Sequence, residues 1–238
     1  MLFFYLRHGD PVYNPDSLTP LGQRQAEALA RRLAQFGLDR IYASSSTRAL
    51  QTAQPTCELL KRQPIVLEWC HEHLAYSQLD YAGKDGRRTW LFQNAEMRRF
   101  LNSPEIRKLG VEWFRHEAFA GTPYAEGIRR IAKETDAFLA ELGYRHLPDQ
   151  GVWRAERPNA ERVALFAHQG FGQAFLSWIL DIPYPLFSTH FDMGHTGMTV
   201  IEFPEEEGDC VPCVLELAND GHLWREGLPT HYQNRVRF

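Results

Sequence analysis

The chain has 238 residues, 44% of them hydrophobic and 24% charged, with a formal net charge of −4. That balance fits a globular chain with one large α/β core, and it excludes a general attraction to nucleic acid or to an anionic membrane surface. No stretch is apolar for long enough to span a bilayer, and charge arrives at Arg7, too early for a secretory leader.

The first nine residues set the pattern for the whole molecule. Leu2-Phe3-Phe4-Tyr5-Leu6 is an unbroken apolar run, which predicts a strand buried on both faces of a parallel sheet. Arg7-His8-Gly9 comes at once after it, at the carboxyl end of that strand, where open α/β sheets place their chemistry. Residues 10–16, with two prolines, an asparagine and two aspartates, read as a loop. Thr19-Pro20 is a cap followed by a first-turn proline, and Ala26, Leu29, Ala30 and Leu33 form one helical stripe that ends near Gly37.

A second strand is expected at 40–43, and a helix from about Thr47 behind the Ser44-Ser45-Ser46 turn. Arg48 then lies in the first turn of that helix. Pro55 falls inside the pattern and should kink or interrupt it. A short third strand is expected at 65–67. Residues 76–122 mix aromatic and basic side chains in short, broken periods. They read as a mostly helical insertion folding over the sheet's carboxyl end, with most of the aromatics forming its own small core. Within it Tyr81, Trp90, Trp113 and Phe114 are candidates for apolar contact with a ligand, and Arg87 or Arg88 for a second anionic group.

Thr122-Pro123 repeats the cap-and-proline signal, and Ile128, Ile131, Phe138, Leu139 and Leu142 mark a long helix ending near Gly143. Residues 144–161 read as a polar surface excursion. Val163-Ala164-Leu165-Phe166-Ala167 is another buried strand, with His168-Gln169-Gly170 at its end and a helix after it. Late strands are expected near 198–203 and 211–217. The four cysteines make no dense framework, which suggests a reducing, cytoplasmic setting. Cys210-Val-Pro-Cys213 precedes a strand rather than opening a helix and lacks companions for a zinc site, so it reads as ordinary packing.

Arg7, His8, Arg48 and His168 thus converge at strand ends and one helix start. Two arginines and two histidines at one point suit a phosphate group, because the guanidinium fork matches its oxygens and keeps its charge. With no glycine-rich phosphate loop of the Walker type, a nucleoside triphosphate machine is not expected.

These motifs, in this order, resemble the histidine phosphatase superfamily, which includes the cofactor-dependent phosphoglycerate mutases. The likeness runs from Leu6-Arg7-His8-Gly9 and Asn14 through Leu18-Thr19, Gly22 and Gln25-Ala26. It continues through Ser44-Ser45-Ser46-Thr47-Arg48-Ala49 and Thr52-Ala53 to Ala167-His168-Gln169-Gly170. Residues 76–122 and 144–161 lie outside it. The resemblance implies a three-layer α/β/α sandwich with a mostly parallel sheet, in a single domain over 1–238 whose segment 76–122 is a helical cap. It implies His8 as the nucleophile, forming a phosphohistidine, with Arg7, Arg48 and His168 holding the phosphoryl group and Asn14 and Gln169 nearby.

One branch of the superfamily carries an aspartate directly after the second histidine. Gln169 stands there, so the general acid is expected on the glutamate branch, at Glu72, with Glu68 as runner-up. Asp10 departs from the glutamate of many relatives. The Arg-His-Tyr-Gly run of the mutases is absent after Glu72. The expected activity is therefore hydrolysis of a small-molecule phosphate ester, with no metal and no cofactor. A mutase is the alternative, and a non-catalytic phospho-ligand binding module is a third reading. The oligomeric state is not legible; a dimer stays open.

Overall fold

The computed structural model describes residues 1–230. Its centre is a six-stranded sheet. We label the strands β1 (Leu2–Arg7), β2 (Arg40–Ser44), β3 (Ile65–Leu67), β4 (Arg162–Ala167), β5 (Met198–Glu202) and β6 (Cys213–Asn219). Their spatial order is β6-β5-β1-β4-β2-β3. The pairs β1/β4, β4/β2 and β2/β3 are parallel, whereas β5 and β6 join antiparallel beside β1. The fold class is the expected α/β one: a mostly parallel sheet between helices.

Alternation along β1 explains why the run is apolar throughout. Phe3 and Tyr5 face a core shared with Phe138, Phe171 and Phe175, while Phe4 and Leu6 face one shared with Leu29, Leu33 and Ala53. The second core is covered by α1 (Pro20–Phe36) and α2 (Thr47–Leu60). The first is covered by α6 (Tyr124–Glu141) and α7 (Gln169–Ile179). A strand with helices on both faces has no polar side to show, so its sequence carries no period of two.

Between these lie α3 (Glu72–Leu79), a hairpin of Asp80–Ala82 with Arg88–Trp90, α4 (Ala95–Leu101) and α5 (Pro104–Leu109). After α7 come α8 (Tyr184–His190) and, beyond β6, α9 (Gly221–Arg225). Among the described residues no helix is long and apolar enough to cross a membrane.

Three expectations need correction. Pro55 lies inside α2 without interrupting it. The buried stripe of Thr52, Ala53, Thr56 and Cys57 continues on both sides of it, and this packing outweighs one missing backbone hydrogen bond. Thr122 does not cap α6; its hydroxyl donates to the Phe119 carbonyl at 2.7 Å, and Pro123 stands at the cap position.

Residues 144–161 are not a surface excursion. Tyr144–Leu147 and Val152–Ala155 pair as a hairpin, extended by Gly208–Cys210 into a three-stranded sheet. Tyr144, Trp153 and Ala155 are fully buried, whereas Arg145 and Arg154 face outward to Glu156 and Asp209. Each strand of the hairpin is four residues long, too short for its alternation to stand out against the polar residues of its outer face. Cys210 ends this small sheet and Cys213 opens β6; neither forms a disulfide.

Candidate active site

The register of the parallel strands builds the site. Arg7 lies opposite Ala167 on β4, and Phe166 lies opposite Ala43 on β2. The next residues, His8, His168 and Ser44, therefore emerge side by side at one end of the sheet. The His8 backbone N–H donates to the Ala167 carbonyl at 3.0 Å, and the two imidazole centroids are 5.3 Å apart. Gly9 is required by a close approach. A Cβ there would lie 2.7 Å from the Gly22 carbonyl oxygen in the first turn of α1. The Gly9 N–H donates to the Thr52 hydroxyl at 3.0 Å, and that hydroxyl donates to the Arg48 carbonyl at 2.7 Å.

Hydrogen bonding fixes both tautomers. The His8 Nδ1 atom is 2.7 Å from the Gly9 carbonyl, which can only accept, so the ring proton is on Nδ1 and Nε2 keeps a lone pair. Burial, then the Arg7 and Arg48 charges, hold His8 well below the usual histidine range, so it is neutral at pH 7. His168 is also held low, by burial first and then by His8 and Arg48. Arg48 Nη2 lies 3.1 Å from His168 Nδ1; a guanidinium only donates, so Nδ1 accepts. The His168 proton is then on Nε2, donated to the Ser44 hydroxyl at 2.8 Å. The Tyr5 hydroxyl donates to the His168 carbonyl at 2.6 Å from within the core.

Both arginines are buried and anchored. Arg48 is gripped by Asp16, whose two oxygens accept from Arg48 Nη1 and from the Thr47 N–H, both at 2.7 Å. Its guanidinium lies 5.5 Å from the Tyr13 ring centroid. Arg7 donates through Nη1 to the Met193 carbonyl. Burial lowers its pKa to about 10, which leaves it charged at pH 7. The Nε atoms of Arg7 and Arg48 are both buried without a protein partner. Buried donors rarely go unmet, and two in one cleft fit a tetrahedral oxyanion that both could reach.

Glu72 opens α3. Its Oε1 accepts from the Gly170 N–H at 2.9 Å, and its Oε2, 3.4 Å from His168 Nδ1, is buried and has no hydrogen-bond partner. Glu68 instead accepts from the Ser45 hydroxyl at 2.6 Å and does not line the cleft. The cleft is about 430 Å³, lined by Arg7, His8, Arg48, Glu72 and Gln169 on the sheet side. Tyr76, Arg87, Arg88 and Trp90 line the other side. Gln169 donates to Asp192.

Arg88 is tied to the buried Asp80 through Nε and, at 2.5 Å, through Nη2. Arg87 pairs with no carboxylate among the described residues. Trp113 and Phe114, expected near a ligand, are buried instead, with Trp113 stacked on Tyr184 at 5.5 Å. Tyr81 also lies off the cleft lining. Asn14 is exposed in the turn between the short strands Pro11–Tyr13 and Asp16–Leu18 and does not line the cleft. Asp16, Tyr13, Asp192, Met193 and His195 went unassigned in the sequence, because three-residue strands and a loop, too short or irregular for periodicity, carry them.

A sheet end that gathers two neutral histidines and two buried arginines has the chemistry to accept an oxyanion. The sequence matches the histidine phosphatase superfamily (branch 1) over residues 3–214, and the chain belongs to that family. A protein named "Putative phosphoserine phosphatase 2", from Hydrogenobacter thermophilus, is 24% identical over 218 residues, covering 87% of this chain and 92% of its own. Among solved structures, phosphoserine phosphatase from Entamoeba histolytica in complex with 3-phosphoglyceric acid superposes with a TM-score of 0.59 at 19% identity. The alignment covers 93% of this chain and 98% of that one. A mycobacterial glucosyl-3-phosphoglycerate phosphatase superposes with a TM-score of 0.56 at 22% identity, over 90% and 97% of the two chains.

Proposed function

We propose that the protein is a phosphomonoester hydrolase that acts on a small phosphorylated metabolite through a phosphohistidine. The observation that carries this reading is the His8 tautomer. With Nδ1 tied to the Gly9 carbonyl and the ring neutral, Nε2 keeps a lone pair in a cleft that two buried arginines also line.

In the first step His8 Nε2 attacks phosphorus as the ester P–O bond breaks. Arg7 and Arg48 stabilise charge on the equatorial oxygens, and Glu72 gives its proton to the leaving alkoxide. In the second step the Glu72 carboxylate takes a proton from water, the oxygen attacks phosphorus and the P–N bond breaks. Inorganic phosphate leaves, with His8 and Glu72 restored. His168, locked between Ser44 and Arg48, orients the second guanidinium. All of the positive charge in this scheme comes from protein side chains.

The segment 76–122 acts as the cap of this single domain, with Trp90 and Arg87 facing the substrate. A substrate with a second anionic group is supported by Arg87, which has no acidic partner among the described residues, and by the acids that relatives are named for. The four free thiols support a reducing, cytoplasmic setting.

The test is phosphate release from p-nitrophenyl phosphate and a panel of metabolite phosphates with EDTA present, alongside acid-stable and acid-labile labelling of the protein. Turnover that survives EDTA, vanishes in His8→Ala and accompanies an acid-labile phosphoprotein is expected. Turnover that persists in His8→Ala would sink the reading. Conversion of 3- to 2-phosphoglycerate stimulated by 2,3-bisphosphoglycerate, without phosphate release, would replace it with the mutase.

A further inference from the structure

Arg7 has a second set of contacts that the scheme above does not use. Its Nη2 lies 3.1 Å from His195 Nε2 in the loop before β5. A guanidinium has donors only, so His195 Nε2 accepts, and in a neutral ring the remaining proton is on Nδ1. That atom is 3.4 Å from Asp10 Oδ1. Asp10 is itself fixed: its Oδ2 accepts from the Thr19 hydroxyl at 2.7 Å, and its N–H donates to Gln25 Oε1 at 2.8 Å. The loop is equally constrained. Thr196 is fully buried at φ 55°, a left-handed value that costs a residue other than glycine about 1 kcal/mol. Its N–H donates to the His8 carbonyl at 3.2 Å. The His195 and His8 ring centroids are 5.8 Å apart.

From this chain of contacts we propose that His195 is a positioning residue for phosphoryl transfer: Asp10 holds its tautomer, and its Nε2 lone pair holds the Arg7 fork. The inference rests on the phosphatase reading of the cleft. Met193 and His195 each take one N–H of the Arg7 fork, which leaves the buried, unpartnered Nε and the second N–H of each Nη as donors for an incoming oxyanion. Without an acceptor at His195 the guanidinium can rotate. An arginine that rotates still attracts a dianion but no longer matches the trigonal arrangement of the transition state. The aspartate after Arg7-His8-Gly9 is then one end of this chain of contacts.

The test compares His195→Phe, which keeps a ring but offers no acceptor, with His195→Gln, which restores one, and with Asp10→Asn. Readouts are kcat, KM, the inhibition constant of orthovanadate and the calorimetric Kd of inorganic phosphate. His195→Phe is expected to lose roughly 10–100-fold in kcat and a similar factor in orthovanadate affinity, with KM and phosphate Kd within about 3-fold of wild type. His195→Gln should recover to within about 5-fold of wild type, and Asp10→Asn should fall between them.

Equal losses in Phe and Gln, or none in Phe, would overturn the proposal. Should His195→Phe not fold, Asp10→Asn decides alone, and a wild-type kcat there would overturn it. If wild type binds phosphate but turns over no ester, the phosphatase reading fails separately. Orthovanadate binding then still decides the positioning of Arg7. A wild type that binds neither anion would overturn both.

Discussion

Substitution of Gly170 by alanine would test how the cap is seated on the sheet. Gly170 is the second residue of α7, and its N–H holds Glu72 Oε1 at 2.9 Å. A Cβ at this position would fall well inside van der Waals contact of the Trp90 indole. Helix propensity alone predicts that Gly170→Ala stabilises by up to about 1 kcal/mol. The clash acts the other way. The indole would have to retreat by roughly 1 Å or more to reach ordinary carbon–carbon separation. It is held by Phe92, stacked at 5.7 Å, and by Tyr76, edge-on at 5.1 Å. Overpacking of this kind costs about 1–3 kcal/mol, so a net loss of about 1–2 kcal/mol is expected. Because Trp90 lines the cleft and Gly170 anchors Glu72, kcat/KM should fall about 10-fold. The assay is a double-mutant cycle with Trp90→Ala, read by urea denaturation and by turnover. In the Trp90→Ala background the stability cost of Gly170→Ala should vanish or reverse, giving a coupling of about 1–3 kcal/mol. An equal cost in both backgrounds would refute the reasoning.

His146 makes stability depend on alkaline pH. It is buried between Asp136 Oδ1 at 3.1 Å and Asp181 Oδ1 at 3.2 Å and stacked on Trp153 at 4.2 Å. Burial pulls its pKa down, but the two carboxylates more than offset this and raise it to about 9. A raised pKa stabilises the fold fully below the unfolded value of about 6.5, and that stabilisation is lost as pH rises through about 9. The shift corresponds to about 3 kcal/mol before screening. Because the carboxylates are 36% and 30% exposed, roughly 1–2 kcal/mol should remain. The stability gap between wild type and His146→Gln should therefore shrink by that amount between pH 6 and pH 10 in urea titrations; a constant gap would count against it. For His8, held well below the usual histidine range, the acid limb of kcat/KM should have its midpoint below pH 6.5 once corrected for substrate ionisation. A midpoint at or above 6.5 would contradict the neutral nucleophile. Asp16→Ala should release Arg48 and lower kcat/KM roughly 10–100-fold with little change in melting temperature, measured by steady-state kinetics and thermal denaturation.

How legible each group was in the sequence depends on the element that carries it. Arg7, His8 and His168 stand directly after runs buried on both faces, so once those runs are read as parallel strands their ends must meet. Arg48 comes after a serine cap, which fixes it to the first turn of α2. Asp16, in a three-residue strand, and Asp192 and His195, in a loop, contact Arg48, Gln169 and Arg7 from segments too short or irregular to carry a period, so only the tertiary fold decides their proximity. Trp90 and Trp113 illustrate the same limit within the cap. Both sit in similar mixtures of aromatic and basic residues, yet one lines the cleft and the other fills a core against Tyr184. The hairpin of Tyr144–Leu147 and Val152–Ala155 was missed because its buried residues include His146 and its outer ones are charged. A histidine on an inner face reads as polar until two aspartates from other elements are known to meet it.

The electrostatics of the cleft also bear on which group is the acid. Two permanent guanidinium charges lie beside two imidazoles that burial and those same charges keep neutral. A phosphate dianion is therefore met by positive charge that does not depend on a histidine proton, and His8 can attack without first losing one. The same tautomers leave neither ring able to serve as the acid. The His8 proton faces the Gly9 carbonyl, and the His168 proton faces Ser44. The leaving oxygen still needs a proton, and the carboxyl group that lines the cleft with an uncommitted buried oxygen is that of Glu72. In the proposed mechanism its role is thus set by the hydrogen bonds of its neighbours, which commit both imidazole protons to fixed partners.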